Sequence, residues 1–128
     1  MSHFTKLKTK LVDVSVLRQA LVDLGYQVSR GAVQVRGYAD STRLAELAVK
    51  VGPDYGIGFV RDGGTYSIVA DWWQVNRDSG IEERTFTQKL TQRYAYLKVL
   101  AEAKRHSWTK VQERALEDGT VELALTKY

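Results

Sequence analysis

The stretch YGIGFVRDGGTYSIVADWW, residues 55–73, constrains the fold more than any other part of the chain. Two alternating runs, Tyr55, Ile57, Phe59 and then Tyr66, Ile68, Ala70, flank the turn residues Asp62, Gly63 and Gly64. Alternation at period two describes a strand with one buried face, and Asp-Gly-Gly between two such runs describes a hairpin. If the second strand continues, Trp72 joins the Tyr66, Ile68, Ala70 face and Trp73 joins Asp71 on the other. The two indoles cannot then share one core. Either the strand ends near Asp71 and both tuck in, or one of them covers a surface.

The flanking sequence fills in an order of elements. From Phe4 to Leu11, Lys6, Lys8 and Lys10 alternate with Thr5, Leu7, Thr9 and Leu11, which predicts a strand with one wet face. Asp13 offers an N-cap to a helix carrying Leu17, Ala20, Leu21 and Leu24, and Gly25 ends it. Val33 and Val35 alternate with Gln34 and Arg36 between Gly31 and Gly37, as a strand does. Residues 42–51 suit helix or strand by periodicity; the turn Gly52-Pro53-Asp54 and the strand beyond it favour strand. After a polar connector, QVNRDSGIEE, a long helix from about Arg84 to Arg105 shows a stripe of Phe86, Leu90, Tyr94, Leu97 and Ala101. A second hairpin turns at Asp118 and Gly119, with Val121, Leu123 and Leu125 alternating inward. This order, β-α-β-β-β-β-α-β-β, predicts a single α+β domain over residues 1–128. Its mainly antiparallel sheet has about six or seven strands, with two helices packed on one face.

Composition removes several chemistries. No cysteine occurs among the 128 residues, so disulfides, thiolate metal sites and thiol nucleophiles are excluded. The two histidines, His3 and His106, belong to no spacing that holds a metal or aligns a nucleophile. Asp40, Asp54, Asp62 and Asp71 fall at turns and strand ends and match no calcium loop. The glycines of GIGFVRDGG lie inside a strand rather than opening a helix, so no phosphate loop is read there. Gly56 and Gly58 share a strand face, which predicts a close approach or bend, with a ligand slot beside Asp71 as the alternative. No catalytic residue, metal or cofactor is expected. No apolar block has the length of a signal or membrane span, so no membrane insertion and a cytoplasmic setting are expected.

Binding readings remain. Exposed tryptophan beside arginine is the composition of protein-interface anchors, so Arg61, Asp71, Trp72 and Trp73 are the expected contacts of a protein partner. The alternative is a nucleic-acid module using Lys6, Lys8, Lys10, Arg93 and Lys98 on phosphates. Net charge is only +4, and the basic residues of the long helix do not gather into one stripe. Outward lysines also protect a sheet edge from strand addition. A homo-oligomer is a further outcome, the spare tryptophan packing on its symmetry mate.

The segments MSHFTK, LRQALVDLGY, VRGY, GIGFVRDGGTYSIVADWW and DGTVELAL, in that order, resemble the hypothetical chloroplast reading frame thirty-five family of cyanobacteria, related bacteria and algal plastids. The resemblance covers almost the whole chain, and the ADWW and GFVR stretches are its most specific parts. It implies a photosynthetic cytoplasm or plastid stroma and brings no assigned reaction. Through bacterial relatives encoded beside ring-forming ATPases, it also implies an accessory role in an ATP-driven complex.

Overall fold

A computed structural model describes residues 4–105, Asp40 by its backbone alone, and the backbone of 108–115 and 121–127. The elements run β1 (Thr5–Lys8), α1 (Val14–Asp23), β2 (Val28–Arg36), β3 (Thr42–Val51), β4 (Asp54–Asp62), β5 (Thr65–Ala70), α2 (Trp72–Ser79), α3 (Glu83–Arg105), β6 (Trp108–Ala115) and β7 (Val121–Lys127). The fold is α+β and antiparallel, and residues 42–51 are strand, as the turn after them implies. The sheet, however, holds five strands in the order β1-β5-β4-β3-β2, not six or seven; β6 and β7 pair only with each other. The connector after Trp73 is also not irregular: most of it is α2, so the expected two helices are three. His3, His106 and the Asp118-Gly119 turn lie outside the described residues.

Local chemistry accounts for these elements. The Asp13 carboxylate accepts hydrogen bonds from the N–H groups of Ser15 (3.0 Å) and Val16 (3.2 Å), satisfying two of the orphan donors at the start of α1. Leu17, Ala20 and Leu21 line its buried face, and Gly25 follows the helix at φ 92°, a conformation that costs glycine nothing. On α3, Phe86, Leu90 and Tyr94 recur at four-residue spacing and are buried. The Tyr94 hydroxyl accepts from the backbone N–H of Val12 (3.1 Å) and Asp13 (3.0 Å), fastening α3 to the start of α1. Ala101, expected on the same stripe, is exposed, and Ala103 is buried instead.

These helices cover one face of the sheet. There Leu47, Val49, Ile57, Phe59, Tyr66, Ile68 and Ala70 meet Leu17, Leu21, Phe86 and Leu90 in the main core. A smaller core occupies the opposite face: Val35, Ala45 and Ala48, with Phe4, Val33, Tyr55 and Val60 packed around them. Gly58 pairs with Ala48 and is bare on that second face, where Val35 and Ala45 from the distal half of the β2–β3 hairpin rest directly on its backbone. The pairing of β3 with β4 slips at Val49/Lys50, and Tyr55 thereby turns into the second core instead of joining Ile57 and Phe59. Gly56 and Gly58 consequently do not share a face: Val51 and Val75 approach the first, Val35 and Ala45 the second. Close approach explains both glycines. Among the described residues no helix is long and apolar enough to cross a membrane.

Candidate functional site at the strand-to-helix junction

Residue 71 decides where the two indoles go. Strand β5 ends at Ala70 because the next side chain caps a helix: the Asp71 carboxylate accepts from the Gln74 N–H at 3.3 Å. Gly80, at φ 76°, closes the helix after two turns. Neighbours on a helix are rotated by about 100°, not the 180° of a strand, so Trp72 and Trp73 diverge without needing two cores.

Trp72 turns inward. Its ring lies 5.8 Å from that of Phe86, at 52°, and the side chain packs on the main core. Its Nε1–H is buried with no acceptor among the described residues. Trp73 turns outward and is 50% exposed. It meets Tyr38, also 50% exposed, edge to face at 5.6 Å and 87°. Arg77, one helical turn on, lays its guanidinium over the Trp73 ring at 5.3 Å. The local strand end therefore packs one tryptophan, partly buried, against the core and leaves the other at the surface.

Asp71 also governs Tyr38. Its second oxygen accepts the Tyr38 backbone N–H at 3.0 Å, so one carboxylate, 1% exposed, binds both the start of α2 and the tip of the β2–β3 hairpin. The tip is tight: Ala39 sits at φ 55°, in the left-handed region that side chains disfavour. Both exposed rings thus hang from backbone held by one buried group. Beside them a cleft of about 50 Å³ lies among Arg36, Gly37, Asp54, Gly56, Gln74 and Asp78. It has room for a few waters, and neither Asp71 nor Gly58 lines it.

The other expected residues lie elsewhere. Arg61 pairs with Tyr66 near the β4–β5 turn, and Asp71 lies five residues further along the chain, just past the end of β5 and about 16 Å away. There the Arg61 guanidinium stacks over the Tyr66 ring at 4.5 Å and donates to its hydroxyl at 2.7 Å, while that hydroxyl donates to Glu46 at 3.0 Å. Burial first, and then the Glu46 hydrogen bond, push the Tyr66 hydroxyl above the ordinary phenol range. Of the five basic residues in the nucleic-acid reading, three are engaged by carboxylates of the same chain: Lys6 with Asp62 (2.8 Å), Arg93 with Asp23 (2.8 Å) and Lys98 with Asp13 (3.9 Å). Lys6 and Lys8 lie on β1, Lys10 in the loop that follows it, and Arg93 and Lys98 on α3. No group of three or more metal-ligating side chains occurs among the described residues.

Sequence reasoning missed Arg77 and Tyr38. Arg77 was accessible, since Asp71 before and Gly80 after an eight-residue segment are the two end signals of a helix, and Arg77 is four residues from Trp73. Tyr38 had no local signal; only the hairpin geometry brings it there.

Comparison with known proteins places the chain. A family model described as a protein of unknown function, DUF1257, matches residues 20–124. An uncharacterized protein ycf35 of Guillardia theta is 38% identical over all of this chain and 98% of its own length. Proteins of the same name from Pyropia yezoensis and Cyanophora paradoxa are 29% and 27% identical with the same coverage. No solved structure matches.

Proposed function

Because the chain belongs to the DUF1257 family of unknown function, in company with the ycf35 proteins, we propose a function from its geometry: a non-enzymatic docking or adaptor domain that binds a protein partner at the Asp71 junction. One observation carries this reading. Trp73 is half exposed, yet it is held by Tyr38 at its edge and Arg77 over its ring, on backbone that a single buried aspartate fixes from two elements. Ordered, amphipathic aromatics beside arginine bind with little loss of side-chain freedom, and this is why they dominate interface energetics. In this reading Trp73, Tyr38 and Arg77 make contact, and Asp71 and Trp72 position them. Arg61 acts only as a separate contact for a partner long enough to span the sheet. The partner shares a photosynthetic cytoplasm or plastid stroma, and an ATP-driven complex is the first class to assay.

The test is affinity capture from nuclease-treated lysate of a photosynthetic cell, with the tagged wild type beside Trp73→Ala and Arg61→Ala. Trp73→Ala removes a half-exposed ring with its Tyr38 and Arg77 contacts and should lower the melting temperature by only a few degrees, leaving the protein folded. A protein retained by wild type and lost from the folded Trp73→Ala variant supports the reading. Identical capture by both refutes it. The nucleic-acid alternative requires binding that weakens steeply with salt and depends on Lys8 and Lys10.

A further inference from the structure

Strand β1 ends the sheet: it pairs with β5 on one side and with no described strand on the other. Alongside it runs an open groove of about 610 Å³, lined by Leu7 of β1 and by Glu83, Arg84, Thr87, Gln88 and Thr91 of α3. The α3 residues recur at three- and four-residue spacing beside the buried face of Phe86, Leu90 and Tyr94, so one helix face and one strand edge wall the same groove. Leu7 points to the helix side and packs on the main core; Lys6 and Lys8 therefore point to the opposite side.

We propose that β1 accepts an extended segment of another protein whose residues alternate between acidic and small apolar types, added as a sixth strand of the sheet. A new strand would use the outward N–H and C=O groups of β1 for affinity and alternate side chains for selection. Those on the helix side rest over Leu7 and the threonines of α3. Those on the other side meet Lys8, and Lys6 in exchange for its exposed ion pair with Asp62 (2.8 Å), and opposite charges directly across a strand pair are favourable. A segment matching β1 needs about four or five residues.

Charge selects this occupant over a second copy of the chain. Two β1 strands paired antiparallel about a two-fold axis, with both Leu7 side chains kept on the groove side, set Lys6 of each copy across from Lys8 of the other. Like charges in that position are destabilising. The lysines that keep the edge from its own kind are thus the groups an acidic strand requires. The Trp73 junction plays no part in this site.

The experiment uses the full chain, isotopically labelled, with three peptides: Val-Glu-Val-Glu-Val-Glu, Val-Lys-Val-Lys-Val-Lys, and Glu-Glu-Glu-Val-Val-Val. The alternating acidic peptide is expected to slow amide exchange in Thr5–Lys8 and to bind about tenfold more tightly than the other two. Lys8→Glu should shift the preference toward the lysine peptide. Should that variant unfold, Lys6→Gln/Lys8→Gln, which adds no charge, should weaken the acidic peptide about tenfold. Trp73→Ala should leave peptide affinity unchanged. The proposal is overturned if no peptide protects β1, if the block peptide binds equally well, or if β1 is already protected in a self-associated form without peptide.

Discussion

Replacing Gly58 by alanine tests the second core directly. A methyl group there would lie 2.6 Å from Cγ2 of Val35 and 2.8 Å from Cβ of Ala45, distances that carbon atoms do not tolerate. Neither neighbour is the far end of a flexible chain: valine is stiff at χ1 and alanine has no rotamer, so the hairpin backbone must lift. Overpacking of this kind costs about 1–3 kcal/mol. Alanine also lowers the entropy of the unfolded chain, which returns about 0.4–1 kcal/mol. The net expectation is a loss of about 1–2 kcal/mol, read as a lower urea midpoint at unchanged slope. Val35→Ala alone removes buried carbon and also destabilises. In the double variant the new methyl enters the space that Val35 gave up, so the two losses should sum to less than their parts by about 1 kcal/mol. Strict additivity, or a Gly58→Ala protein as stable as wild type, would refute the packing of the hairpin on Gly58. Lifting the hairpin also moves Tyr38, so Gly58→Ala should increase the access of a quencher to Trp73.

Other expectations follow from single hydrogen bonds. Asp71→Ala removes the cap of α2 and leaves the Tyr38 N–H without its acceptor; a loss of about 2–3 kcal/mol by urea titration is expected, and Asp71→Asn, which keeps one acceptor oxygen, should lose less. Tyr94→Phe leaves two backbone donors unpaired between α1 and α3 and should cost about 1–3 kcal/mol with no change in secondary structure by circular dichroism. A hydrogen bond from Gln19, and then the Arg93 guanidinium, hold the Asp23 carboxyl below the ordinary carboxylate range. The native state thus favours the charged form, and its stabilising contribution is present at neutral pH and fades as pH falls through the lowered native value. Between pH 7 and pH 3 the wild-type urea midpoint should fall further than that of Asp23→Asn; parallel declines would contradict the pairing.

Where the sequence spoke plainly, the signals were local. Asp13 and Gly25 bracket α1, and the alternation of residues 57–70 sets which side chains of β4 and β5 enter the main core, because caps and period two act within a few residues. Tyr55 escaped that pattern because a one-residue slip in pairing flips every side chain beyond it. Helix α2 was hidden by its polar composition, although Asp71 and Gly80 mark its ends. That β6 and β7 stand apart from the sheet was not legible, since pairing partners depend on contacts between distant segments. The exposed Trp73 could be posed as a question from adjacency alone. Its answer required Tyr38, thirty-five residues away and joined to it through a carboxylate that reads as an ordinary turn aspartate.

The pairing of β1 with β5 has a consequence for biosynthesis. Thr5 meets Ala70, 65 residues later in the chain, whereas β2 through β5 are joined to their neighbours by short turns. At about 5–20 residues per second, β1 leaves the ribosome roughly 3–13 s before its partner exists. During that interval α1 and the growing meander can form, but β1 stays an unpaired ribbon with nothing to bind except water or a chaperone. Lysine at every second position keeps such a ribbon hydrated, so the residues that guard the finished edge also protect the nascent chain while it waits.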